Sequence, residues 1–417
     1  MSELYIRGGA PLSGAVTVQG AKNCVLPVLA ACLLVPGPVK LCNCPLLTDV
    51  TAALDILRLL GCRAQQCGHR ITVDASGAFG TAVPEERMRA MRSSILFLGP
   101  LLARMGEASM GYPGGCELGP RPIDLHLAAI RALGCTVEET GAGLVCTGRP
   151  EGGEIDLPIP SVGATENAML CAVGGSGVTT ITNAAREPEI AALQDFLNTM
   201  GAHVRGGGSG VITVTGGRTL HGGAWAVMGD RIVAATLLCA AAAAGGRAEV
   251  RGVERACLIP VLEVFRRAGC RVDSGETYVA LSRDPDRPLR AAPTVRTAPY
   301  PGFPTDAQAP VMAALCTAAG STVFVENLFD SRYRHVEELR RMGADITTEG
   351  RVAVVRGVER LRGAQVTARD LRGGGALAVA ALAAEGESVL SGVEHIDRGY
   401  EAMEDMLSRL GGDVRRA

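Results

Sequence analysis

The sequence predicts an α/β protein of two lobes, each assembled from three copies of one supersecondary unit. A recurring helix end is the first reason. LRLLGC, IRALGC, LNTMGA, FRRAGC, LRRMGA and LSRLGG place glycines at Gly61, Gly134, Gly201, Gly269, Gly343 and Gly411, a period of about 70 residues. The second reason lies just beyond the first five glycines, where apolar and polar residues alternate around a Gly-containing tip. CTVEETGAGLVCTG and ADITTEGRVAVVRG are examples, and the pattern is that of a strand pair. The third is composition. With 47% hydrophobic but only 3% aromatic residues, the core must be built from Ala, Val, Leu and Ile, which suits short strands and small-residue helices.

Each repeat opens with an amphipathic helix. Val50, Leu54, Leu57 and Leu60, or Val336, Leu339 and Met342, share one helical face, and glycine follows where a left-handed C-cap is needed. The sixth glycine, Gly411, is followed only by GDVRRA, so a strand from elsewhere must close that unit. The N-terminal segment LYIRGGAPLSGAVTV can supply it. The expected division is therefore lobe 1 over residues 22–229, including a loop at 111–122, and lobe 2 over residues 1–21 plus 230–417. A chain of 417 residues also exceeds what one core usually supports. A single six-unit solenoid is disfavoured, because the units are not tandem copies and the termini are expected to pair.

Composition excludes several function classes. Forty-one basic against 43 acidic residues, net −2, provide no general attraction for nucleic acid. No apolar run reaches the ~18 residues of a membrane span, and the N-terminus lacks a signal-peptide pattern. The 14 cysteines contain no CxxC pair, which argues against a zinc site or a disulfide scaffold and for a reducing compartment, the cytoplasm. No metal and no cofactor is expected, P-loop and Rossmann fingerprints being absent. The chain is expected to act on small molecules as a monomer or weak oligomer.

Two lobes joined by two chain crossings imply an interlobe cleft, where ligands usually bind. In GYPGGCELGPRP the glycines and prolines exclude helix and strand, so Cys116 is expected on an exposed loop. The other thirteen cysteines fall in apolar or periodic surroundings. Arg121 favours the Cys116 thiolate and Glu117 opposes it, leaving its protonation state open. Lys22, Arg92, Arg121, Arg332, Arg372 and Arg398 lie beside turn residues. Any one alone is an ordinary surface cation; together in one cleft they would hold phosphate and carboxylate groups. Asp306 and Asp370 are acidic exceptions able to take a proton from a hydroxyl, although Asp306 also suits the N-cap of AQAPVMAALCTAA. His335 and His395 flank arginines, and no histidine shows metal-ligand spacing.

QGAKNC, RSSILFLGPLLAR, PGGCELGPRPIDLH, SVGATEN, NAAREPEI, PYPGFPTDAQ, ENLFDSRYRH, DLRGGGAL and HIDRGYE, in this order over nearly the whole chain, resemble the UDP-N-acetylglucosamine enolpyruvyl transferase family. The resemblance implies an inverted α/β barrel, or prism, of six βαβαββ units in two lobes that close on substrate. Carried over, it makes Cys116 the residue that protonates C3 of phosphoenolpyruvate or adds to it, and that fosfomycin alkylates. Lys22, Arg121 and Arg398 would hold the phosphate and carboxylate, Asn23 the sugar and the tetrahedral adduct. Asp306 would be the base at the sugar 3-hydroxyl. Arg92, Arg121, Pro122, Ile123, Asp124, Leu125, Ser161, Val162, Gly163 and the Leu328 backbone would contact the nucleotide-sugar, and Arg332, Asp370 and Arg372 would act in closure. Val233, Ala307 and Pro310 depart from the family pattern.

The implied reaction transfers an enolpyruvyl group to the 3-hydroxyl with release of phosphate, the first committed step of peptidoglycan synthesis. Two alternatives stand beside it. One is a 3-phosphoshikimate 1-carboxyvinyltransferase, which shares donor and fold but lacks such a loop cysteine. The other is a non-catalytic nucleotide-sugar-binding paralogue, which would not need Lys22, Cys116, Asp306 and Arg398 together.

Overall fold

The computed structural model describes residues 2–114 and 122–417, in which the chain forms two compact units. One comprises residues 20–114 and 122–228; the other joins residues 2–19 to 229–417. Both crossings fall on glycine. A Cβ at Gly20 would lie 1.8 Å from the Asn43 carbonyl oxygen, and one at Gly229 would lie 1.9 Å from that of Gly252, so no side chain fits at either place.

Each unit holds three four-stranded mixed sheets. The hairpins expected after the first five glycines are all present as antiparallel pairs, for example Thr136–Thr140 with Gly143–Thr147 and Asp345–Glu349 with Val352–Arg356. In each sheet the other contacts include a parallel pair, such as Gly153–Asp156 beside Val178–Thr182, bridged by a crossover helix. The sixth sheet is closed as expected from the N-terminal segment. Strand Leu4–Arg7 lies antiparallel between Glu387–Ser391 and Asp413–Arg416, while Leu12–Thr17 runs parallel to Gly246–Arg251 in a different sheet.

The helices divide into two kinds. Arg231–Ala244, Thr305–Ala314 and Leu371–Ala383 pack on one another in the second unit, and nearly every residue of each is buried. A helix apolar on all sides has no face for water, and its alanines and glycines let the helix axes approach closely. Lys22–Cys32 and Val162–Gly174 are buried in the same way in the first unit. The amphipathic helices, such as Thr48–Leu59, instead bury one face and end at the repeat glycines. All six of these have left-handed φ, from 83° at Gly134 to 102° at Gly269, a conformation that costs other residues about 1–2 kcal/mol.

Candidate active site

In the second unit the structure gathers Asp306, Arg332 and Arg372. Asp306 lies in the first turn of Thr305–Ala314, where the helix dipole favours an anion. It is not the N-cap that the sequence suggested: Pro304 holds that position without a side-chain bond, and the helix starts two residues earlier than AQAPVM. One Asp306 oxygen accepts from Arg332 Nη2 at 2.6 Å and the other from Arg372 Nη2 at 3.1 Å. Both arginine side chains are almost wholly buried, 2% and 5% exposed. Burial would raise the Asp306 pKa, but Arg372 and Arg332 outweigh it and hold the carboxyl well below the usual range. Burial likewise works against the Arg372 charge, and Asp306 overcomes it.

The second acid, Asp370, has a different task. It caps Leu371–Ala383, one oxygen accepting from the amides of Arg372 and Gly373 at 3.0 and 2.8 Å, and so sets the backbone from which Arg372 reaches Asp306. The following glycines serve close packing. A Cβ at Gly374 would lie 2.5 Å from the Ile396 side chain, and one at Gly375 would lie 2.6 Å from the Tyr400 hydroxyl. The turn carrying Arg398 is thereby seated on this helix. Tyr400 is buried under Arg372, whose guanidinium carbon lies 5.5 Å from the ring centre, and its hydroxyl is 2.9 Å from Thr236 Oγ1.

His335 is buried in the same cluster, and neither ring nitrogen has a hydrogen-bond partner among the described residues. Burial holds its pKa down at about 4, against the pull of Asp370, so the ring is neutral at pH 7. Glu326, fully buried, accepts from Thr305 Oγ1 and from the amides of Leu328 and Phe329. The Leu328 amide is therefore already committed.

The remaining expected residues lie in the first unit. Lys22 begins the helix Lys22–Cys32, and its ammonium is 2.6 Å from an Asp49 oxygen, the two side chains 11% and 4% exposed. Asn23 follows it, half-buried. Arg92 opens a short 3-10 helix, Arg92–Phe97, that packs against both Lys22–Cys32 and Val162–Gly174. Its Nη1 donates to the Gly114 carbonyl at 3.5 Å. Ser161 caps the second of these helices, its Oγ accepting from Ala164 N, and Val162 and Gly163 follow.

A Cβ at Gly163 would lie 3.0 Å from the ring of His126, on the helix Asp124–Ala132 that Pro122, Ile123, Asp124 and Leu125 introduce. Asn167 fixes that ring: its oxygen accepts from Gly99 N, so its amide donates to Ile95 O and, at 3.2 Å, to His126 Nδ1. Glu166, beside it, is buried; burial, then Glu189 and Glu187, push its pKa well up.

Cys116 and Arg121 lie outside the described residues. The chain leading toward them is anchored, Gly111 N donating to Val83 O and Gly114 N to Met88 O. None of the thirteen other cysteines is in a disulfide. The apolar or periodic surroundings expected for them do not bury all of them: Cys42 and Cys67 are exposed, because each ends a strand on its outward face. Burial raises the Cys44 and Cys270 thiols to about 12, and both stay protonated.

Sequence reasoning did not single out Asp49, Glu326, Tyr400 or Glu166. Asp49 in LLTDV has the form of an ordinary helix-start acid, and Tyr400 was visible only as part of HIDRGYE. The described residues contain no group of three or more His, Cys, Asp or Glu able to hold a metal, and no helix long and apolar enough to cross a membrane.

Two units, each with three sheets about buried helices, and a carboxylate held at a helix start by two buried arginines define the enolpyruvyl transferase class. The chain superposes on the crystal structure of the enolpyruvyl transferase NikO from Streptomyces tendae with a TM-score of 0.88 at 26% identity, covering 100% of this chain and 99% of that one. EPSP synthase from Acinetobacter baumannii shares the fold, with a TM-score of 0.76 at 19% identity and full coverage of both chains. The profile of EPSP synthase (3-phosphoshikimate 1-carboxyvinyltransferase) matches residues 6–407. UDP-N-acetylglucosamine 1-carboxyvinyltransferase 2 of Caldanaerobacter subterraneus is 46% identical over 417 residues, the whole of both chains. The enzyme of that name from Novosphingobium aromaticivorans is also 46% identical, over 100% of this chain and 99% of its own. The chain belongs to the EPSP synthase family and, within it, to the UDP-N-acetylglucosamine 1-carboxyvinyltransferases.

Proposed function

We propose that the protein transfers the enolpyruvyl group of phosphoenolpyruvate to the 3-hydroxyl of UDP-N-acetylglucosamine, releasing phosphate, as the first committed step of peptidoglycan synthesis. The observation that carries this reading is the 46% identity over the full length of carboxyvinyltransferases with that acceptor in their name. The Asp306 cluster supports it chemically.

In the proposed mechanism Cys116 donates a proton to C3 of phosphoenolpyruvate, leaving C2 cationic. The 3-hydroxyl oxygen bonds to C2 and Asp306 takes its proton. The Cys116 thiolate takes back a proton from C3 as phosphate leaves the tetrahedral adduct with the proton that Asp306 holds, which restores the double bond and both side chains. Each such transfer contributes roughly 10²- to 10⁴-fold. A carboxylate as weakly basic as Asp306 suffices, because the hydroxyl becomes strongly acidic only as its oxygen attaches to the cationic carbon.

Lys22, Arg121 and Arg398 serve the phosphate and carboxylate, whose developing charge fixed cations stabilise. Asn23, Arg92, Pro122 to Leu125, Ser161 to Gly163 and Leu328 serve the nucleotide-sugar, and Arg332, Asp370 and Arg372 set the state of Asp306. The protein would act in the cytoplasm on these two small molecules without metal or cofactor.

Phosphate release from phosphoenolpyruvate is expected to require UDP-N-acetylglucosamine. Release with shikimate 3-phosphate instead would favour the activity named in the family profile. Release with neither would reject catalysis.

A further inference from the structure

We propose that Gln19 and Arg416 are positioning residues for Arg398, together fixing the turn that aims it at the carboxylate or phosphate of phosphoenolpyruvate. The proposal rests on the reading of Arg398 as a residue that binds this substrate. Arg398 lies in the connection between the four-residue helix Val393–Ile396 and the helix Met403–Arg409. The connection has its own backbone hydrogen bonds, from Gly399 N and Tyr400 N to Ile396 O, but they are not its only support. It ends on Ala402 at φ 42°, ψ 61°, a left-handed conformation that a residue with a Cβ keeps only when its surroundings impose it.

Beyond its seat on the helix Leu371–Ala383, contacts come from two further parts of the chain. Arg416, on strand Asp413–Arg416, donates from Nη1 and Nη2 to the two oxygens of Asp397 at 2.9 and 2.7 Å. Its Nη2 also reaches Glu404, in the first turn of the following helix, at 3.0 Å. This guanidinium fork therefore ties the residue before Arg398 to the helix after it, with a directionality that an ammonium lacks.

Gln19 holds the other side. Its Nε2 donates to the Gly399 carbonyl at 3.1 Å and its Oε1 accepts from the Glu401 amide at 2.6 Å. The Gln19 side chain is buried, and so is Gly399, whose carbonyl would lose this partner without it. The Gln19 carbonyl in turn accepts from Asp230 N at 2.9 Å. Arg398 is thus bracketed by fixed groups at Asp397, Gly399 and Glu401.

The test is steady-state kinetics of the full-length enzyme carrying Gln19→Leu, Gln19→Glu, Arg416→Met, Arg416→Lys or Arg398→Met, each substrate being varied at saturation of the other. Melting temperatures are recorded in parallel. Misplacing a binding group by about 1 Å costs on the order of 100-fold. Gln19→Leu and Arg416→Met are therefore expected to raise KM for phosphoenolpyruvate roughly 10- to 100-fold, leaving KM for UDP-N-acetylglucosamine nearly unchanged. Gln19→Glu, which keeps the acceptor for Glu401 N, should fall between wild type and Gln19→Leu, and Arg416→Lys should rescue little. Wild-type KM for phosphoenolpyruvate in the Gln19 and Arg416 variants, with Arg398→Met crippled, would overturn the positioning role alone. An equal loss for both substrates together with a lowered melting temperature would overturn it in favour of a general structural role. Unchanged phosphoenolpyruvate kinetics in Arg398→Met would overturn the assignment of Arg398 itself, and this proposal with it.

Discussion

Replacing Asp306 by Asn separates the two things that its carboxylate does. The side chain keeps its size and one acceptor oxygen but loses the charge that two buried guanidiniums share at 2.6 and 3.1 Å. In the native cluster one anion offsets two cations. In Asp306→Asn two cations stand unbalanced, and removing one partner from a buried pair costs about 3–5 kcal/mol. For a unit of this size that corresponds to a fall in melting temperature of roughly 6–20 °C. Activity should fall roughly 10²- to 10⁴-fold through loss of the proposed base.

The double variant Asp306→Asn/Arg372→Met returns the cluster to a single excess cation. It should melt at a higher temperature than Asp306→Asn while remaining equally inactive. Differential scanning calorimetry reads the first effect and phosphate release from phosphoenolpyruvate the second. An Asp306→Asn protein with native melting temperature would refute the energetic argument, because the two arginines would then not depend on that charge. A double variant melting below the single would refute the charge balance.

Ionisation of Asp306 itself should leave no acid limb in the pH profile of kcat/KM above pH ~4. A carboxyl held below its unfolded value is charged throughout that range; a limb near pH ~5 that vanishes in Asp306→Asn would contradict this. His335 works in the opposite direction. Its folded pKa of about 4 lies below the ordinary 6.5, so the stability it confers is complete above pH 6.5 and is lost as pH falls toward 4, roughly 3 kcal/mol in all. Denaturant melts of wild type and His335→Gln across that interval measure the difference. Glu166, with a raised pKa, makes the fold less stable as pH rises above the ordinary carboxyl value. Glu166→Gln should therefore gain stability over wild type at pH 8 and show no gain at pH 4, as thermal melts would reveal. Gly343→Ala should cost about 1–2 kcal/mol from backbone strain alone, since no described atom lies within 4 Å of its Cβ position. Gly61→Ala should cost more, because Phe79 lies 2.7 Å away; urea titrations compare the two.

Much of the fold was legible because its causes are local. A left-handed C-cap demands glycine wherever the helix lies, so six glycines with φ near 90° stood out as a period. Alternation exposes a hairpin for the same reason, and a sixth unit short of one strand forced the N-terminal segment into its sheet. The candidate site was legible only in part. Charges beside glycine and proline in LFDSRYRH, ARDLRGGG and HIDRGYE marked Arg332, Arg372 and Arg398, yet spacing could not tell which acid was the cap. Both Asp306 and Asp370 precede apolar helices. Only the start of each helix decided it, Pro304 occupying the cap of one and Asp370 that of the other.

By itself, then, the sequence determined the repeat, the strand that closes the sixth sheet, the absence of a CxxC spacing and a set of cations beside turn residues. These follow from backbone conformation and composition, which act over a few residues at a time. Tertiary structure alone decided that Asp306 sits between two arginines more than 20 residues away in sequence, that Lys22 is paired with Asp49, and that His335 is buried with no hydrogen-bond partner among the described residues. Those facts depend on which side chains a fold brings within hydrogen-bond distance after water has been removed. Desolvation and charge pairing act between neighbours in space, and the order of residues along the chain does not record them.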